Sequence, residues 1–296
     1  MDNSLQAELL VDCKNLLGEC VVYNPVDGRV YWTDVNGHKL LSCGEDGSSL
    51  VSRELPEPLG SFAFDPHGNL LAAFASGLFR YRLADGHYER ISNFEPQLEA
   101  TRLNDGRCDR AGRFVVGGCH QGYYNPVSSV ISYDGGEPRT LIKNVALTNA
   151  IAFSPDGSRM YFSDSETLQL LWFDYDNATG SLGGRHLLHE IPKDQGFADG
   201  SCVDASGNLW NARYYGGIVQ QYTPQGSLGY RILLPTSCIT CACFGGPQLD
   251  TLFITTARKD LNPTQLSREP LAGGLFKVRV PARGLSETRF RHVLFS

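Results

Sequence analysis

Four oxygen-bearing side chains recur at one phase of this sequence. Asn104, Asn149 and Asp199 each stand eight residues before a turn glycine, Gly112, Gly157 and Gly207 respectively. Glu19 stands nine residues before Gly28, an offset that one extra turn residue explains. Two further copies carry Gly60 and the stretch around Thr240 and Ala242 at that place. Asn or Asp at a strand start commonly caps a turn, so each residue alone has a plain structural reading. Their shared phase points to a common site. Two carboxylates brought together repel and lose hydration unless a cation compensates. A divalent ion would neutralise Glu19 and Asp199, while Asn104 and Asn149 could offer carbonyl oxygens. Oxygen donors favour Ca²⁺, Mg²⁺ or Mn²⁺, and an open catalytic site also admits Zn²⁺ or Fe²⁺. One divalent metal ion is expected, with its identity open.

Arg102 lies two residues before Asn104 in TRLNDG, and alternation along a strand puts both side chains on one side. A guanidinium there could clamp a carboxylate, hydroxyls or a developing oxyanion, the plainer alternative being a surface salt bridge. Asp105 is expected to face away.

Residues as far apart as 19 and 199 meet only if the chain folds with their period. It does repeat. YNPVDGRVYWTD, FDPHGNLLAAF, CDRAGRFVVGG, FSPDGSRMYFSDS, VDASGNLWNARY and FGGPQLDTLFITTA share a polar turn between apolar, β-favouring runs. Gly28, Gly68, Gly112, Gly157 and Gly207 mark the turn, with Asp250 in the sixth copy, at steps of 40, 44, 45, 50 and 43 residues. A second, weaker turn in each copy, such as Asp46-Gly47 or Asp134-Gly135, implies about four strands per repeat. The expected fold is all-β, a six-bladed propeller of four-stranded blades forming a single domain over 1–296. Ring closure should join the termini, with LQAELLV pairing beside a final blade that ends in RFRHVLF. The first strand of each blade should line the channel, so equivalent strand starts converge at one mouth.

Composition narrows the setting. The chain has 296 residues, 42% of them hydrophobic, and a formal net charge of −6, enough length for a large core without disulfides. Scattered Lys and Arg in an acidic chain give no nucleic-acid footprint. No apolar run approaches the length of a membrane span. The leading MDNSLQAELLVDC lacks the features of a signal peptide, so a cytoplasmic location is expected. Nine cysteines in no regular framework read as reduced thiols. Cys238, Cys241 and Cys243 read as buried strand cysteines, because no compact Cys/His pair completes a zinc site.

At these residues the sequence resembles the SMP-30/gluconolactonase/luciferin-regenerating-enzyme family. The likeness runs from LGE at 17–19 through RLNDGRCDRAGRF at 102–114, TNAIAFSPDG at 148–157, FSDS at 162–165 and ADGSCVDASGNLW at 198–210. It ends in CFGGPQLDTLFITTAR and PLAGGLFKVRV. The resemblance implies a six-bladed propeller with one divalent-metal site and hydrolysis of sugar lactones such as glucono-, xylono- or arabinolactone. By resemblance Glu19, Asn149 and Asp199 are the metal ligands, and Asn104 and Arg102 contact substrate. Three departures stand out: GECV at 18–21 puts Cys20 beside Glu19, TNA puts Ala150 where glycine is usual, and GCH puts Cys119 and His120 near the pocket.

The chemistry expected is water attack on a metal-polarised lactone carbonyl, with Asp199 positioning or deprotonating the water. His120 is a candidate to bind substrate, Tyr123 and Tyr124 to form a rim, and Asp164 and Ser165 to stand at a strand end. The partner expected is a small-molecule sugar lactone. No nucleic acid, membrane or obligatory protein partner is implied, and the protein would be a monomer or weak homo-oligomer. Two alternatives remain: a metal-dependent phosphotriesterase or aryl-esterase, and a non-catalytic calcium-binding propeller.

Overall fold

Alternating β-branched and aromatic residues dominate the runs between turns, and those runs are the strands. The computed structural model describes residues 3–122 and 124–295. Six sheets form a six-bladed β-propeller; the first five blades each have four antiparallel strands in chain order, and the sixth takes its outer strand from the N-terminal segment. The innermost strands are Gly18–Asn24, Leu59–Phe64, Thr101–Cys108, Thr148–Phe153, Phe197–Val203 and Ile239–Gly245. Each touches the next around the ring, and the sixth packs on the first. The turn glycines adopt the left-handed conformation that the repeat demands, as at Gly112 (φ 82°) and Gly157 (φ 70°). The sixth copy differs, because there the left-handed residue is Leu249 (φ 54°), one before Asp250.

The core lies between blades. Trp210 and Val219 of the fifth blade pack on Phe244 and Ile254 of the sixth, and Trp32 and Cys43 of the first on Cys241 and Phe253 of the sixth. Every cysteine is free, and Cys238, Cys241 and Cys243 are all buried.

Ring closure uses the N-terminus in two pieces. Glu8–Val11 pairs antiparallel with Leu275–Arg279 as the outer strand of the sixth blade, and Ser4–Gln6 adds parallel to Leu228–Leu233 of the fifth. The expected end of that blade is corrected: its third strand is Leu275–Arg279, and RFRHVLF lies elsewhere. Residues 284–295 form an irregular strap that runs away to the second and third blades. There the Phe290 N–H donates to Phe64 O (2.8 Å) and the Arg291 N–H to Gly112 O (3.0 Å). Among the described residues the one α-helix is Pro263–Arg268, started by an Asn262/Gln265 capping box. No helix there is long and apolar enough to cross a membrane.

Candidate active site

Every innermost strand breaks register at the same level. Pairing with the second strand shifts after Glu19, Leu59, Leu103, Asn149, Ala198 and Ile239. A bulge bends its strand and re-aims the side chains beside it. One cavity of about 370 Å³ lies at this level, and Glu19, Arg102, Asn104, Asn149 and Asp199 all line it. The backbone just after two of them is left-handed, Cys20 at φ 45° and Ala150 at φ 59°. Glycine adopts this conformation freely, which accounts for its being usual at position 150, and the Cys20 and Ala150 side chains are strained there.

Two aspartates fix the approach to these strands. The Asp34 carboxylate accepts the N–H groups of Leu16 and Leu17 (both 3.0 Å), just ahead of Glu19. Asp164 does the same for Ala146 and Leu147 (2.9 and 3.0 Å), just ahead of Asn149. Asp164 is therefore a turn residue. The two blades without an oxygen donor are occupied differently. A Cβ on Gly60 would stand 2.7 Å from the carbonyls of Leu103 and Asn104, so a neighbouring strand fills that space. The Thr240 hydroxyl donates to Gly18 O (2.5 Å) and ties the sixth blade to the first.

Hydrogen bonds set how each amide faces. Asn149 donates through Nδ2 to Ser165 Oγ (2.9 Å), and Ser165 Oγ donates to Ala198 O (2.7 Å), next to Asp199. This leaves Asn149 Oδ1 turned away from Ser165, where Asn104 Nδ2 approaches at 3.3 Å. Asn104 also donates to Thr148 O (2.9 Å), and its own Oδ1 accepts from Arg102 Nη1 (2.7 Å). Arg102 Nη1 donates to Leu103 O as well (2.9 Å). Asn104 is thus a partner of Arg102 and Asn149, and its oxygen is already used.

The carboxylates are poorly served by comparison. Glu19 Oε2 accepts the N–H of Cys20 (3.3 Å) and Asp199 Oδ1 that of Gly200 (3.1 Å). Burial and then the Asp105 charge push the Glu19 carboxyl up to about 8. Burial, then Glu19, then Asp105 raise Asp199 well above the usual carboxylate range. Enclosed negative charge of this kind is costly unless protonated or paired with a cation. Among the described residues no three His, Cys, Asp or Glu side chains gather in metal-binding geometry. The donor set that does gather is two carboxylates and an amide oxygen, which suits a hard divalent ion.

The remaining candidates fall on both sides of this cavity. Ser165, buried, lines it and holds Asn149; Tyr124 lines it as well, and Tyr123 lies outside the described residues. His120 ends the second strand of the third blade opposite Thr101, and its N–H donates to Ala146 O (3.1 Å). It is not among the described lining residues. Asp105 turns the other way, as alternation requires. It accepts the N–H of Ile151 (2.8 Å) and borders a separate small void with Arg107 and Glu287, which form an ion pair. Sequence reasoning missed a second tier: Glu166, Tyr214, Tyr215, Lys259 and Asp260 also line the cavity. Tyr214 ends the second strand of its blade and the others follow theirs, so the ruler applied to strand ends as well as strand starts would have found them.

The profile of the SMP-30/Gluconolactonase/LRE-like region matches residues 17–258. The chain is 37% identical to the L-arabinolactonase of Azospirillum brasilense, covering 96% of this chain and 95% of that one. It is 33% identical to the 6-deoxy-6-sulfogluconolactonase of Pseudomonas putida, covering 93% and 95%. Among solved structures, a calcium-binding protein, regucalcin, from Agrobacterium tumefaciens str. C58 superposes with a TM-score of 0.94 at 27% identity, over 99% of this chain and 100% of that one.

Proposed function

The chain belongs to the SMP-30/Gluconolactonase/LRE-like family, and from that premise we propose that it hydrolyses a sugar-acid lactone to the open aldonic acid with one divalent cation. We read the whole chain as one domain serving this site. Relatives matched over nearly their full length bear the names L-arabinolactonase and 6-deoxy-6-sulfogluconolactonase. The observation that carries the proposal is the presence of Glu19, Asn149, Asp199, Arg102 and Asn104 around one cavity.

Glu19, Asn149 and Asp199 are assigned to hold the cation. Bound there, a divalent ion supplies polarisation of the lactone carbonyl and acidification of water. Asp199 is assigned the attacking water. Its Oδ1 takes the Gly200 N–H, which fixes the carboxylate plane and orients it to accept a proton from water. A nearby cation lowers its basicity, so positioning is the larger part of the role. Arg102 and Asn104, hydrogen-bonded to each other, are assigned to orient the substrate hydroxyls. His120, opposite Thr101 and outside the cavity lining, is assigned a substrate contact away from the reacting bond, reached only by a substrate that extends past the cavity.

The test is acid release at constant pH on a lactone panel, above spontaneous opening, with metal removed and individual ions restored. Phosphotriesters run in parallel. Metal-dependent turnover of lactones in preference to phosphotriesters is expected, with Asp199→Asn reduced about 10²-fold or more. Asp199→Asn with full metal affinity and full turnover would sink the assignment. A second reading, a calcium-binding protein without turnover, is supported by the similarity to a protein of that description. It predicts tight Ca²⁺ binding with no metal-dependent acid release on any lactone.

A further inference from the structure

The second tier of the cavity carries charge that the proposed reaction does not use. Glu166 follows the second strand of the fourth blade, and Lys259 and Asp260 follow that of the sixth. All three line the cavity with Glu19, Asp199 and Arg102. Four carboxylates and two cations give these side chains a net formal charge of −2, which one divalent ion at the strand starts would cancel.

The two cations already have acceptors of this chain beside them. Arg102 Nη1 is held by Asn104 Oδ1 and Leu103 O at 2.7 and 2.9 Å. Lys259 Nζ lies 3.8 Å from Asp260 Oδ2, which also accepts the Tyr214 hydroxyl at 2.8 Å. Glu166 is exposed. With its formal charges cancelled by the ion, a loaded site would offer little net attraction to an anion. Its rim would offer carboxylate oxygens, which accept strong hydrogen bonds from neutral hydroxyls. An anionic group on the substrate would meet like charge at Glu166 and Asp260, which disfavours it in this partly screened setting.

We infer that Glu166 and Asp260 make the site selective for neutral polyhydroxy lactones and against lactones bearing a carboxylate or sulfonate on the exocyclic chain. The inference rests on the lactonase reading and narrows its substrate class.

The test uses the metal-loaded full chain and matched pairs that differ only at the chain end: D-galactono-1,4-lactone against D-galactaro-1,4-lactone, and D-glucono-1,4-lactone against D-glucaro-1,4-lactone. Acid release gives kcat/KM for each. In a pair whose neutral member is hydrolysed, the neutral lactone is expected to lead by about tenfold or more. The lead should shrink severalfold in the Glu166→Gln/Asp260→Asn double variant and at high salt. Because the readout is a ratio within one preparation, a loss of folded protein does not mimic it. Equal efficiency on both members in the parent, or a ratio unmoved by both the double variant and salt, overturns the inference while leaving the lactonase reading intact. Absence of metal-dependent hydrolysis of all four removes that reading and the inference with it.

Discussion

The Ser165 hydroxyl joins two parts of the site that come from different blades. It is buried, accepts the Asn149 Nδ2–H at 2.9 Å and donates to Ala198 O at 2.7 Å. Ser165→Ala removes both bonds and adds no bulk. The buried Asn149 amide loses its acceptor and the Ala198 carbonyl loses a donor, a loss of about 1–3 kcal/mol for each buried group left unpaired. Asn149 then keeps only the long contact from Asn104 Nδ2 to hold its amide, and the chain around Asp199 loses a tether. Loss of a hydrogen bond that orients a metal ligand typically weakens metal binding by about 10–100-fold. That range corresponds to about 1.4–2.8 kcal/mol, the size of one buried hydrogen bond, so the two routes to the magnitude agree. The assay is calorimetric titration of the metal-free protein with Mn²⁺ or Ca²⁺, alongside acid release from a lactone as the metal is varied. Turnover should recover largely at high metal, because Ser165 holds a ligand and has no assigned contact with the substrate. Thr167→Ala is the control, since Thr167 Oγ1 donates only to the turn carbonyl of Asp164 (2.7 Å). If Ser165→Ala binds metal within twofold of the parent, the claim that this hydroxyl orients Asn149 is wrong.

Three further outcomes are expected. The raised Glu19 and Asp199 carboxyls bind protons more tightly folded than unfolded, so their contribution to stability is full below the ordinary carboxylate pKa. It is lost as pH rises towards 8, the value of Glu19. Metal-free protein should thus unfold at lower temperature at pH 8 than at pH 5, and Glu19→Gln should flatten that slope; a steeper slope in Glu19→Gln would refute it. Ala150→Gly, at φ 59°, relieves left-handed strain but removes a methyl buried in the core, so stability should change by less than about 1 kcal/mol in chemical denaturation. A loss of more than about 2 kcal/mol would mean that strain relief there is negligible beside lost packing and chain entropy. His120→Ala should raise KM severalfold with kcat little changed, and unchanged kcat/KM would remove His120 from the substrate contacts.

How far the sequence spoke depended on whether a feature was periodic. The blades were legible because each marker turn needs a left-handed residue and the flanking runs are β-formers, so Gly112, Gly157 and Gly207 announced themselves. The phase of Glu19, Asn104, Asn149 and Asp199 followed from the same ruler. Aperiodic features were not legible. Nothing in local composition says that 284–295 leaves the sixth blade for the second and third, because its partners, such as Gly112 and Asp134, are remote in sequence. Leu249 took the sixth left-handed position because FGGPQLD has a different turn from the other five. Glu166, Lys259 and Asp260 were overlooked since they follow the second strand, where charged residues ordinarily sit in solvent.

The account depends on one cation seated among strand starts from the first, fourth and fifth blades. Anomalous scattering from crystals of the Mn²⁺-loaded protein measures this directly. The predicted result is a single strong peak within bonding distance of Glu19, Asn149 and Asp199 oxygens, absent in Asp199→Asn crystals. A peak elsewhere, or no peak in protein that still hydrolyses lactones at full rate, would contradict the account.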